Sequence, residues 1–277
     1  MTLTVRNNCF KGGIILAALS LFSVAAAGYF TFSFFPDIAA SAALRPLGLL
    51  QSYVHDLTEV SAYVPFWTML GAAVYSLVGI VIIYFFFEKT QAPEILFLSF
   101  FTISLSFEFA RILIPLTGIL TFPPLYTIVA FRALLFGRYF GLFSLFAASV
   151  YAAGLDAQKQ QSVFSLSVLA ALLIAANVPV DSLIWDSTFV FAMGYNSMLT
   201  MVEIGLMAVT IVTFFVSAYI RESNSYIFIG IGVLMAYLGR RFLIFSDNWI
   251  TPLPAILLLS LGTWLACSRI HKIYLWL

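Results

Sequence analysis

The sequence predicts an all-α, polytopic membrane protein: one integral membrane domain over residues 1–277, crossing the bilayer eight times. Three observations predict it. Of the 277 residues 62% are hydrophobic and only 9% charged, against roughly a quarter charged in a typical soluble domain. Mean hydropathy is +1.05. Apolar stretches of about 20 residues, the length at which a helix crosses a bilayer core, recur from end to end between short polar breaks. A water-soluble fold would lack the polar surface to cover so much apolar volume, and in lipid only helices and closed barrels satisfy their own backbone.

Cutting the chain at its polar breaks gives spans at 12–35, 65–87, 95–120, 126–153, 163–180, 189–220, 226–245 and 252–267. The first follows Arg6 and Lys11 and runs through Val24-Ala25-Ala26-Ala27-Gly28. That pattern also fits a signal segment with a small-residue cleavage site, whose removal would leave seven spans and put the N-terminus outside. The apolar run continues through Tyr29, Phe30, Phe32, Phe34 and Phe35, which favours a retained span. The connection 36–64 carries Arg45, His55, Asp56 and Glu59 among apolar residues, a pattern for an interfacial helix. The second span stops at Glu88-Lys89-Thr90-Gln91-Ala92-Pro93 and the third at Thr121-Phe122-Pro123-Pro124, with Pro115 placed to kink it. The fourth stops before Asp156, the fifth before Asp181, the sixth at Arg221-Glu222-Ser223-Asn224 and the seventh at Asp247-Asn248-Trp249, ahead of Pro252. No break is long enough for a soluble domain.

Lys and Arg outside the spans set the orientation. Arg6, Lys11, Lys89, Lys159, Arg221, Arg269 and Lys272 fall on one side and only Arg45 clearly on the other, which places both termini in the cytoplasm of a cell-membrane protein. Trp67, Trp185 and Trp249 stand near outer span ends, and Tyr274 and Trp276 near an inner one, as interfacial anchors do. Cys9 and Cys267 read as two free thiols.

Ionisable residues inside spans carry the functional signal, because each costs roughly 3 kcal/mol at mid-bilayer unless paired or hydrated. They are Glu108, Arg111, Arg132, Arg138, Glu203, Arg240 and Arg241, and their depths converge on the outer half of the bundle. Glu108 and Arg111 share a helix face at i,i+3. Guanidiniums outnumber carboxylates, so Glu108, Arg111, Arg132, Arg138, Glu203 and Arg240 form a candidate site for a small anion or lipid headgroup. Arg at every cationic position suits bidentate contact with carboxylate or phosphate. A purely structural alternative pairs Glu108 with Arg111 and Glu203 with Arg138, and lets Arg132, Arg240 and Arg241 snorkel to headgroups. A third is a proton or ion relay through Glu108 and Glu203. Phe136-Gly137-Arg138-Tyr139-Phe140 and Leu238-Gly239-Arg240-Arg241-Phe242 share Gly-Arg-x-Phe, and Gly137 with Gly141 makes a Gly-x-x-x-Gly that suits close helix approach.

Other chemistries lack their residues. Retinal needs a lysine in mid-span, and Lys11, Lys89, Lys159 and Lys272 all lie elsewhere. His55 and His271 fall on opposite sides, away from any ligand cluster, so neither a metal nor another cofactor is expected. No nucleophile elbow or phosphate loop marks an enzyme. A net charge of +1 without a basic run excludes a nucleic-acid partner. The expected contacts are the lipid bilayer, a small anionic ligand or lipid headgroup, and, on an alternative reading, a membrane protein partner. The sequence therefore predicts a transporter or permease-like protein; the alternative is a non-catalytic subunit, a sensor input module or assembly scaffold, working through that partner.

Overall fold

The computed structural model of the chain describes residues 3–34, 61, 63–87, 92–113, 116, 123–179, 186–191 and 194–275. Among these residues no strand forms, and the long helices are α1 (Leu3–Phe34), α2 (Tyr63–Phe87), α3 (Pro93–Ser104), α4 (Pro124–Ala152), α5 (Gln160–Asn177), α6 (Asn196–Ile220), α7 (Ser225–Ile244) and α8 (Pro252–Leu275). With α3 extended by the 3₁₀ segment Leu105–Ile112 and α5 by the 3₁₀ turn Ala157–Lys159, eight helices are long and apolar enough to cross a membrane. That is the architecture of an integral, multi-pass membrane protein. Below, the near face of the bundle is the one from which α1 starts, and the far face is opposite.

Proline opens three of these helices, Pro93 in α3, Pro124 in α4 and Pro252 in α8, where a missing N–H costs nothing and a fixed φ favours the first turn. The first helix starts earlier than expected, at Leu3, and the last runs on to Leu275, and two further spans differ in ways that bear on the interior. The third stays α-helical only to Ser104 and then tightens to 3₁₀ through Ile112. The sixth starts at Asn196 instead of 189, because Phe189 and Tyr195 adopt positive φ (56° and 59°) and hold the chain in turns. The expected interfacial helix in 36–64 lies, apart from Ser61, Tyr63 and Val64, outside the described residues, as do the Pro115 kink, Asp181, Lys89, Trp185 and Trp276.

The third span is the axis of the bundle, and nearly all its side chains are buried, among them Phe97, Phe101 and Leu105. α4 packs along it through Phe131, Leu134 and Leu145, while α1, α2 and α8 cover its other sides. α1, α5 and α6 turn broad apolar faces outward, with Phe22, Leu166, Met201 and Tyr219 exposed. Such faces are stable against lipid rather than water. At the α-to-3₁₀ junction the Ser76 hydroxyl of α2 donates to the Thr102 carbonyl (2.8 Å) and meets the Ser106 hydroxyl (2.8 Å), sewing α2 to the place where the helix changes pitch.

α7 and α8 approach closely at glycines. A Cβ on Gly239 would lie 2.7 Å from the Ala255 carbonyl oxygen and 2.6 Å from the Leu259 nitrogen, and one on Gly232 would lie 2.7 Å from the Gly262 carbonyl oxygen. Backbone cannot step aside as a side chain can, so this seam tolerates no side chain. Gly239→Ala is expected to cost about 1–3 kcal/mol of overpacking strain, read as a fall in the melting temperature of the detergent-solubilised protein, whereas Gly205→Ala, at a position with open space around it, should leave that temperature unchanged or raise it.

Candidate functional site: a buried guanidinium cluster

The 3₁₀ segment sets the geometry. With three residues per turn, side chains at i and i+3 eclipse, so Glu108 and Arg111 stand directly in line, with Arg111 Nη1 3.5 Å from Glu108 Oε2. On the other side α4 comes in close, because Gly137 and Gly141 have no side chain to fend off Phe107 and Ser104. That approach brings Arg138 onto the same carboxylate. Its Nε donates to Glu108 Oε1 (3.1 Å) and its Nη2 to Oε2 (3.2 Å), a two-pronged charge-assisted pair. Glu108, Arg111 and Arg138 are 3%, 1% and 5% exposed, so all three charges sit in low dielectric.

A third guanidinium joins from α7. Arg240, 5% exposed, donates from Nη2 to the Arg138 carbonyl (2.7 Å) and lies over the Phe101 ring at 5.9 Å. Its Nη1 is buried with no hydrogen-bond partner among the described residues, and a Cβ on Gly141 would come within 2.8 Å of it. Two of these three buried guanidiniums thus touch the Glu108 carboxylate, and the third is tied to them through the Arg138 carbonyl.

The far end of the cluster is stoppered by the turn 186–191. Asp186 Oδ1 accepts from the Thr188 N–H (2.9 Å), the Thr188 hydroxyl (2.7 Å) and the Val190 N–H (3.1 Å), which folds the turn back on itself. The Thr188 carbonyl then accepts from Arg111 Nε (3.0 Å) and also from its Nη2. Phe189 packs on Phe66 and Phe191 on Phe131, each with ring centroids 5.4 Å apart, which seats the turn in the bundle.

Beside the cluster lies a cavity of about 20 Å³, bordered by Arg138 of α4, Glu203 of α6, and Tyr237, Arg240 and Arg241 of α7, with Phe245 just beyond. It has room for about one water or a monatomic ion. Arg241 is half-buried; its Nη1 donates to the Tyr237 hydroxyl (3.2 Å), and its guanidinium lies over Phe245 at 5.8 Å. Glu203 is also half-buried and has no hydrogen bond or ion pair among the described residues.

Of the residues singled out in the sequence, the fold unites Glu108, Arg111, Arg138 and Arg240, and sets Glu203 and Arg241 on the adjoining cavity. Arg132 stands apart. It is exposed, and its Nη1 donates to the Ala176 carbonyl (2.7 Å) at the C-terminal turn of α5, where helix carbonyls lack partners. Arg138 turns to Glu108 rather than Glu203, because Gly137 and Gly141 draw α4 against the third span. Arg240 does not snorkel; it reaches the Arg138 carbonyl, so the two Gly-Arg copies meet. The sequence reading missed Thr188, which acts through its carbonyl and leaves no side-chain signal. It also missed Glu94, assigned to a break but 3% exposed at the near end of α3 and accepting from the Tyr274 hydroxyl (3.0 Å). Pro93 at the helix start was the available clue, since it puts Glu94 inside the first turn.

Removing the shared carboxylate strands two buried cations. Glu108→Gln should destabilise the protein by about 3–5 kcal/mol, measured by thermal unfolding in detergent. Arg132→Ala, which loses one exposed hydrogen bond, should cost about 1 kcal/mol or less.

No family model matches the chain, and no curated protein or solved structure matches it either.

Proposed function

We propose that this membrane protein is permease-like and binds a small anion in the far half of the bundle, at the cavity between Arg138 and Arg240. One observation carries the proposal: among the described residues Arg240 Nη1 is buried without a hydrogen-bond partner, on a guanidinium that borders a cavity. A buried donor left unsatisfied costs the full desolvation of that group, and the neighbouring charge adds to the cost. Arg111, Arg138 and Arg240 carry three positive charges against the single buried carboxylate of Glu108. A water molecule would satisfy the donor but leave the charge excess. An anion satisfies the donor and offsets the guanidiniums, with Glu203 on the opposite side of the cavity.

Guanidinium donors suit this task because their planar fork meets carboxylate and phosphate oxygens in pairs. The Lys and Arg distribution supports a cytoplasmic near face, so the site belongs to the outer half of the membrane. The plugging turn 186–191 covers Arg111 on that side, and the Thr188 carbonyl occupies the donors that an oxyanion would use. Arg132, spent on α5, falls outside the proposed site.

The purified protein should gain thermal stability on titration with chloride, acetate or inorganic phosphate, saturably and with the best ligand contributing about 2.7 kcal/mol at a hundredfold excess over Kd. Arg240→Met, which keeps an unbranched apolar stem and removes the guanidinium, should abolish that gain, and Arg132→Met should retain it. In proteoliposomes the wild type should move the stabilising anion, with at least a tenfold loss in Arg240→Met. A protein stabilised by no anion, or equally by anions in wild type and Arg240→Met, would refute the proposal.

A further inference from the structure

Glu203 is the residue that a simple anion site does not explain. It lies seven residues into α6, about 10 Å along the helix from the far end, and borders the cavity that Arg240 borders. Among the described residues no guanidinium or ammonium nitrogen comes within 4.0 Å of its carboxylate. The nearby cations are committed elsewhere: Arg138 to Glu108, Arg240 to the Arg138 carbonyl, and Arg241 to Tyr237 and Phe245. Thr200, one turn back, spends its hydroxyl on the Asn196 carbonyl (2.9 Å). Arg240 stands as an opposing charge across the cavity, and among the described residues the two make no hydrogen bond or ion pair.

One small cavity therefore joins an unpartnered cationic donor, Arg240 Nη1, to an unpartnered carboxylate. An anion alone is repelled by Glu203, and a cation alone by the guanidiniums. Resting on the anion-site reading above, we propose that the ligand is zwitterionic, with an oxyanion held by Arg240 and Arg138 and an ammonium group held by Glu203. A carboxylate accepts N–H bonds, which a primary ammonium offers and a quaternary one lacks, so the ammonium is primary. Phe245 and Phe242, on the rim side of α7, are exposed to lipid along with Met201 and Ile204 of α6. The cavity thus lies beside side chains that face the bilayer, which points to the ammonium–phosphate pair of phosphoethanolamine, free or as a lipid headgroup. Arg241, held by one hydrogen bond and one ring contact, is the side chain that swings aside to enlarge a 20 Å³ cavity for it.

The test uses the full chain in detergent. Native mass spectrometry with phosphatidylethanolamine, phosphatidylcholine and phosphatidylglycerol reads the lipid form; thermal shift with phosphoethanolamine and inorganic phosphate reads the free form. Wild type is expected to take the ethanolamine compound at least tenfold more tightly than its counterpart without a primary amine, in one form or both. Glu203→Gln should erase that preference while keeping or strengthening the response to phosphate or phosphatidylglycerol, with a ligand-free melting temperature no lower than that of the wild type. A preference confined to the lipid identifies a headgroup, and one shared by free phosphoethanolamine identifies the soluble compound. Equal binding with and without the amine, or a preference that survives Glu203→Gln, overturns the inference while leaving the anion site standing. Absence of any anion binding removes the anion site itself.

Discussion

The Glu108 carboxylate is the constraint on which the rest of the bundle's interior depends. It is the one buried acid among three buried guanidiniums, and it holds two of them directly. Its two oxygens receive Arg138 from α4, and Oε2 also faces Arg111 from its own segment, so the axis of the bundle and its main neighbour are fixed by a single side chain. Burial makes that pairing obligatory, because a lone guanidinium in low dielectric is far costlier than a paired one. Arg240 then borrows a carbonyl from Arg138, and the chain of dependence extends to α7.

Backbone closeness makes this possible. Gly137 and Gly141 let α4 lie against Phe107 and Ser104, and Gly232, Gly239 and Gly262 let α7 lie against α8. Small residues at helix contacts are the usual means of association in lipid, where the hydrophobic effect does not drive helices together. The polar interior and the glycine seams are thus parts of one arrangement: close backbones position the guanidiniums, and the charge pairing keeps the backbones close. The outward faces of α1, α5 and α6 need only be apolar, and they are.

The bundle was legible in the sequence because bilayer thickness imposes a length and a composition on every span. Eight apolar stretches and their proline-bearing breaks correspond to eight helices, and the charged residues inside them were identified by their cost alone. Their partners were not legible. Pairing Glu203 with Arg138 assumed that matched depth decides contact, whereas Gly137 and Gly141 bring α4 to Glu108 first. Arg132 stood with Arg138 among the candidate ligands, yet six residues turn it toward α5 and the Ala176 carbonyl. Thr188 acts through backbone, and no residue type announces that. The loss of α-helical pitch after Ser104 has no proline or glycine to mark it; it became visible only when Glu108 and Arg111 were seen in line.

That change of pitch has a mechanical consequence. A 3₁₀ segment advances about 2.0 Å per residue against about 1.5 Å in an α-helix, so the eight residues Leu105–Ile112 store about 4 Å of extension in the middle of the most enclosed span. Rewinding them to α pitch would shorten that span and swing Arg111 off the line of Glu108, parting it from the Thr188 carbonyl. The pitch of these eight residues thus decides which groups the Arg111 guanidinium can touch.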